Sequence, residues 1–120
     1  MSTITRITTP ATEKGTAVFT VAFTDQAGVA VIPNSGLTWT LTDTLAAVVN
    51  SRSAVSITAA ATVYIVLSGS DLALSSSFAD HERVLTVEGT YNTTIGGAAQ
   101  TNLPLKLECH FMIEDLVKVS

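Results

Sequence analysis

The sequence predicts an all-β fold, a Greek-key β-sandwich of about seven to eight strands with one short helical turn in a crossover. Three observations lead there. Thr, Val and Ile, the β-branched residues that fit a pleated and half-buried surface, make up 39 of the 120 positions. Apolar and polar side chains alternate with period two in several separate runs. Turn signals separate those runs at a spacing of roughly 8 to 12 residues. A small barrel is the alternative architecture. The length suits one domain, so residues 1–120 are expected to form a single sandwich, with 1–10 as an N-terminal strand or arm and 117–120 as a C-terminal tail.

The elements follow in order. Ile4 and Ile7 flank polar residues before Thr8, Thr9 and Pro10, which predicts an opening strand closed by a residue that cannot donate to a ladder. Over residues 16–24, Ala17, Phe19, Val21 and Phe23 share the inward face of a second strand. Asp25-Gln26-Ala27-Gly28 reads as a turn, and 29–32 as an edge strand or extended loop stopped by Pro33-Asn34-Ser35-Gly36. Leu37, Trp39 and Leu41 then put the single Trp into the core of a third strand. Three short β-like runs follow at 46–49, 54–57 and 62–68, and in the last one apolar residues on both faces predict a strand covered on both sides.

Residues 69–82 break the alternation. There Ser70 is a candidate N-cap and Asp71 an acidic first-turn residue, so one helical turn is expected in a crossover between sheets. Two long paired strands are predicted at 83–91 and 105–113, the second with Leu105, Leu107, Cys109, Phe111 and Ile113 inward. The intervening 92–104 exceeds a tight hairpin in length and predicts an exposed, mobile tip around Gly96 and Gly97.

Composition narrows the function. Charged residues are 13% of the chain and hydrophobic ones 47%, against about 25% charged in ordinary globular chains, which argues against long disorder and coiled coil. A net charge of −4 with six Lys and Arg makes no basic stripe, so no nucleic-acid partner is expected. One Cys forms no internal disulfide, and two His supply little nitrogen for a metal cage. The start lacks the apolar core of a signal peptide and no apolar run of about 18 residues follows, so a soluble chain without a membrane partner is expected.

Each chemically suggestive residue has a plainer reading. Cys109, on the inward face of the last strand, is read as core, since burial there would raise its thiol pKa. Ser75, Ser76, Ser77, Asp80 and His81 assemble a hydrolase-like set on paper, but no Gly-x-Ser-x-Gly elbow accompanies them and a polar loop is favoured. His110, outward between Glu108 and Met112, would be half of a metal site only if another strand supplied ligands. Asp25, Asp71, Asp80 and Glu82 lack the spacing of a calcium loop and are read as solvated. Asn92-Thr93-Thr94 matches a glycosylation sequon by accident, and Gly96-Gly97 is no phosphate loop. No catalytic, cofactor-binding or metal residue is therefore assigned, and no cofactor is expected.

A candidate interface remains. Thr38, Thr40, Thr42, Thr86 and Thr90 would coat one outer sheet face with small uncharged side chains that cost little to desolvate against another subunit. Tyr64, Val66 and Met112 strengthen that reading.

The strand pattern, with Trp39 on the third strand, resembles the immunoglobulin-like fold, although the Cys pair is absent and no Tyr stands near the start of 83–91. More narrowly, Ile4-Thr5-Arg6-Ile7-Thr8-Thr9-Pro10, Leu37-Thr38-Trp39-Thr40-Leu41-Thr42-Asp43 and Phe111-Met112-Ile113-Glu114-Asp115-Leu116-Val117 resemble small proteins of tailed-bacteriophage structural gene clusters. The resemblance implies a non-enzymatic virion protein, a capsid decoration, neck or tail component present in many copies or as a homo-oligomer. Its implied partners are other virion proteins, and it would be assembled in the host cytoplasm. The alternative is a carbohydrate- or host-receptor-binding sandwich using loops 69–82 and 92–104, where Phe78 and Tyr91 are the available aromatics.

Overall fold

The computed structural model describes residues 3–6, 11–12, 15–72 and 82–114. Among the described residues there are eight strands: β1 (Thr3–Arg6), β2 (Ala11–Thr12), β3 (Thr16–Ala22), β4 (Thr38–Asp43), β5 (Val55–Ser56), β6 (Thr62–Ser68), β7 (Glu82–Ile95) and β8 (Ala98–Glu114). They form a three-stranded sheet, order β1-β3-β6, and a five-stranded sheet, order β2-β8-β7-β4-β5. All pairings are antiparallel except β2 with β8. The N-terminal chain thus contributes β1 to one sheet and β2 to the other.

The two sheets bury one shared core, as the alternation predicts. Ala17, Phe19 and Val21 of β3 and Val63, Ile65 and Leu67 of β6 face Trp39 and Leu41 of β4, Leu85 and Val87 of β7, and Leu105, Phe111 and Ile113 of β8. Phe19 and Phe111 meet across the sandwich with ring centroids 5.0 Å apart at a tilted 56°. At Gly89 of β7 the chain lies against Leu37: a Cβ there would lie 2.9 Å from Leu37 Cδ1, so a side chain at this position would force the buried Leu37 side chain to shift. Arg83, paired in register with Asp43 and Phe111, is fully buried on the same inward side and donates from Nη1 to the Glu82 carbonyl at 2.8 Å.

Several expectations need correction. Residues 92–104 are not a loose tip: the β7–β8 ladder continues to Ile95↔Ala98 with an irregularity at Tyr91/Thr93, and Gly96 and Gly97 form a two-residue turn. Both glycines have positive φ (59° and 79°), the condition for a hairpin turn whose twist matches its strands. The run 62–68 is not covered twice, because Tyr64 and Val66 on its outer face are 66% and 55% exposed.

The run 46–49 yields only the isolated bridge Thr42↔Val48, and 54–57 only the two residues of β5. Positive φ at Ala46, Asn50, Ser51 and Ala54 curls this segment, so that it touches β4 through scattered bonds such as Val49 N–H to the Leu41 carbonyl. Residues 29–32 form an extended loop anchored by the bridge Thr24↔Ala30. The helical turn is a 3₁₀ turn, Gly69–Leu72. Most of the crossover that follows, with Ser75, Ser76, Ser77, Phe78, Asp80 and His81, lies outside the described residues, as do most of the 1–10 arm and the 117–120 tail.

Candidate interaction surfaces

The predicted interface residues divide between the two outer faces. On the five-stranded sheet, register sets Thr38 beside Glu88 with Lys106 one strand further, Thr40 beside Thr86 with Glu108 beyond, and Thr42 beside Val84 with His110 beyond. The threonine face is therefore not nearly charge-free: β7 and β8 interleave five titratable groups with it, counting Glu82 next to Met112. Lys106 Nζ lies 3.8 Å from Glu88 Oε1 with both side chains largely in solvent, a pair that contributes little to stability. A shallow groove of about 370 Å³ runs over Thr40, Thr42 and Thr86 toward Lys106 and His110. Thr90 lies further along β7, opposite Pro104.

His110 is the most organised group on this face. Its Nδ1 lies 2.9 Å from Glu82 Oε2 and its Nε2 3.3 Å from Glu108 Oε1. The second strand that a histidine site would need does supply a carboxylate, but the two carboxylates take opposite edges of one ring. Among the described residues no group of three His, Cys, Asp or Glu is arranged to hold a metal ion. Hydrogen bonding to Glu82, then to Glu108, holds the imidazole pKa above its usual 6.5. The attraction is complete below pH 6.5 and fades as pH rises through the raised folded value.

Of the acidic residues grouped as a calcium alternative, Asp80 lies outside the described residues, and Asp25, Asp71 and Glu82 form no shared cluster. Asp25 closes its own turn, accepting from the N–H groups of Ala27 at 2.9 Å and Val29 at 3.0 Å, and these bonds, that of Val29 foremost, lower its pKa. Asp71 is buried rather than solvated, which corrects the loop reading. It accepts from Arg52 Nε at 2.7 Å, Asn50 Nδ2 at 2.8 Å and the Ser68 N–H at 3.2 Å. Cys109 is half-buried and packs against the core, as its strand position predicts. Asn92 of the sequon accepts from Asn34 Nδ2 at 3.1 Å and from the Asn102 N–H at 2.9 Å, which ties the hairpin to the loop beside it. Tyr91, offered for ligand stacking, is half-buried and packs against the core.

The other outer face differs. On the three-stranded sheet, Thr16, Val18, Thr20 and Ala22 of β3 stand in register with Ser68, Val66, Tyr64 and Thr62 of β6. None carries a charge, and Tyr64 and Val66 are its exposed apolar centre. The signal was present in the sequence as two uncharged alternating runs; their adjacency was not. Tyr64 and Val66 thus belong to a separate surface from the threonines of β4 and β7.

These features define a class: an all-β protein of two packed sheets, with one outer face studded with charge and the other, among the described residues of β3 and β6, free of it. Among the described residues no helix is long and apolar enough to cross a membrane. No protein-family model matches the chain, and no curated protein or solved structure shows significant similarity to it.

Proposed function

We propose that the chain is an immunoglobulin-like Greek-key sandwich acting as a non-enzymatic structural protein of a tailed-phage virion, in a capsid-decoration, neck or tail position. The observation that carries this reading is the uncharged outer face of β3 and β6, with Tyr64 and Val66 exposed at its centre. Such a surface loses little hydration on docking and gains from burying an aromatic and a β-branched side chain. The strand orders β1-β3-β6 and β2-β8-β7-β4-β5, with the N-terminal chain shared between sheets, support the immunoglobulin-like topology. The resemblance of the segments around Ile4, Trp39 and Phe111 to phage structural proteins supports the setting.

The test is light scattering and co-sedimentation of the purified protein with virions stripped of accessory proteins. Saturable binding at a defined stoichiometry, lost in Tyr64→Glu, is the expected result. A protein that ignores every virion component overturns the reading.

A further inference from the structure

Among the described residues the sandwich has four sheet edges, and three are protected in ordinary ways. β2 and β5 are two residues each, and β1 has four residues with Arg6 among them. The fourth, β6, runs seven residues, Thr-Val-Tyr-Ile-Val-Leu-Ser, without Lys, Pro or any charge. Its register with β3 is continuous from Thr16↔Ser68 to Ala22↔Thr62, so no bulge twists it away. Proteins normally blunt a long edge with one of these devices, because its backbone groups template pairing with another chain. Among the described residues no strand lies beyond β6 in its sheet.

We propose that β6 pairs antiparallel with β6 of a second copy across a two-fold axis at Ile65, joining the two three-stranded sheets into one of six strands. The inference rests on the reading above and deepens it by naming a second copy of this chain as a partner at that face.

The strand is self-complementary about Ile65. The dyad sets Tyr64 opposite the partner's Val66, and Thr62 opposite the partner's Ser68. The first is an aromatic–β-branched pair and the second a hydroxyl pair, both favourable across antiparallel strands. Charge selects the occupant. Each copy carries a net charge of −4, so most surfaces of two copies repel, whereas β6 and the adjoining β3 face bring no like charges together. A seven-residue edge with one exposed aromatic per copy is a small interface, so the dimer is expected to depend on concentration.

Sedimentation velocity over a wide concentration range, on the full chain and two double variants, tests the proposal. The substituted side chains are exposed, and circular dichroism with Trp39 fluorescence checks that each variant folds. Wild type should pass from monomer to dimer. Tyr64→Lys/Val66→Lys sets like charges opposite one another and should weaken the dimer about tenfold or more. Tyr64→Lys/Val66→Glu places opposite charges across the same dyad and should restore it.

A monomer at every concentration, an open-ended series of larger species, or equal dissociation of both variants would overturn the proposal. Binding to stripped virions without self-association would also overturn it while leaving the proposed function intact. A dimer that obeys the charge pattern but binds no virion component would support it and sink the proposed function instead.

Discussion

Asp71 is withdrawn almost entirely from water, and burial alone would push its carboxyl toward the neutral form. The bonds from Arg52, Asn50 and the Ser68 N–H outweigh that burial and hold its pKa below the ordinary 3.8. A lowered folded pKa stabilises the native state above the unfolded value, and that contribution disappears as pH falls through the folded value. Asp71→Ala is therefore expected to cost roughly 1–3 kcal/mol in urea unfolding at neutral pH, because three donors lose their acceptor. Arg52 is 44% exposed at its side chain and recovers part of its solvation, which keeps the cost below that of breaking a fully buried pair. The gap between variant and wild type should narrow on acidification below about pH 3.8; a gap independent of pH would refute the ion-pair account. Asp71 read from the chain alone is a loop acid, because the run 69–82 breaks the alternation and its partner Arg52 is 19 residues away.

At the scale of elements the β7–β8 hairpin is the instructive case. Its turn places Gly96 and Gly97 at positive φ, a conformation that costs an L-residue with a side chain about 1–2 kcal/mol. Gly97→Val should lower the denaturation midpoint accordingly, whereas Gly96→Asn, giving the Asn-Gly pair common in such turns, should leave it nearly unchanged. Equal effects of the two substitutions would rule out the backbone argument. The ladder was illegible beyond Tyr91 because the outer hairpin buries no apolar face in the core and is tied to the rest of the chain by polar contacts from Asp25, Gln26 and Asn34. With most of its side chains in water on both faces, the inward–outward pattern disappears although the hydrogen bonds continue, and the irregularity at Tyr91/Thr93 shifts what pattern is left. Strand β6 misled in the opposite direction. Tyr64 and Val66 suggested a second covering layer, but that apolar outer face is exposed.

Across the whole molecule the described chain spans 57 × 23 × 20 Å, too elongated for the full length of β7 and β8 to lie over the core. The packed centre holds Phe19, Leu41, Leu85 and Val87 fully buried, while residues 94–99 are exposed throughout. Local opening requires little apolar exposure at the hairpin tip and nearly global unfolding at the centre. Native-state hydrogen exchange should therefore protect the amides of Leu41 and Leu85 at least about a hundredfold more than those of Ile95 and Ala98. Uniform protection along β7 and β8 would contradict this division.

The sequence by itself determined which side chains point inward. Period-two alternation is a local property of each strand, and Ala17, Phe19 and Val21, then Leu37, Trp39 and Leu41, then Val63, Ile65 and Leu67 are all buried as it requires. Tertiary structure alone decided which strands became neighbours. Charges of β8 came to lie among the threonines of β4 and β7, His110 settled between Glu82 and Glu108, Arg52 reached Asp71, and β6 was left at the end of its sheet. Alternation says which face a residue occupies but nothing about which strand lies beside it. Strand order is set by chain crossings between the sheets, whose energetics are non-local, so the surfaces through which this protein meets others emerged only with the fold.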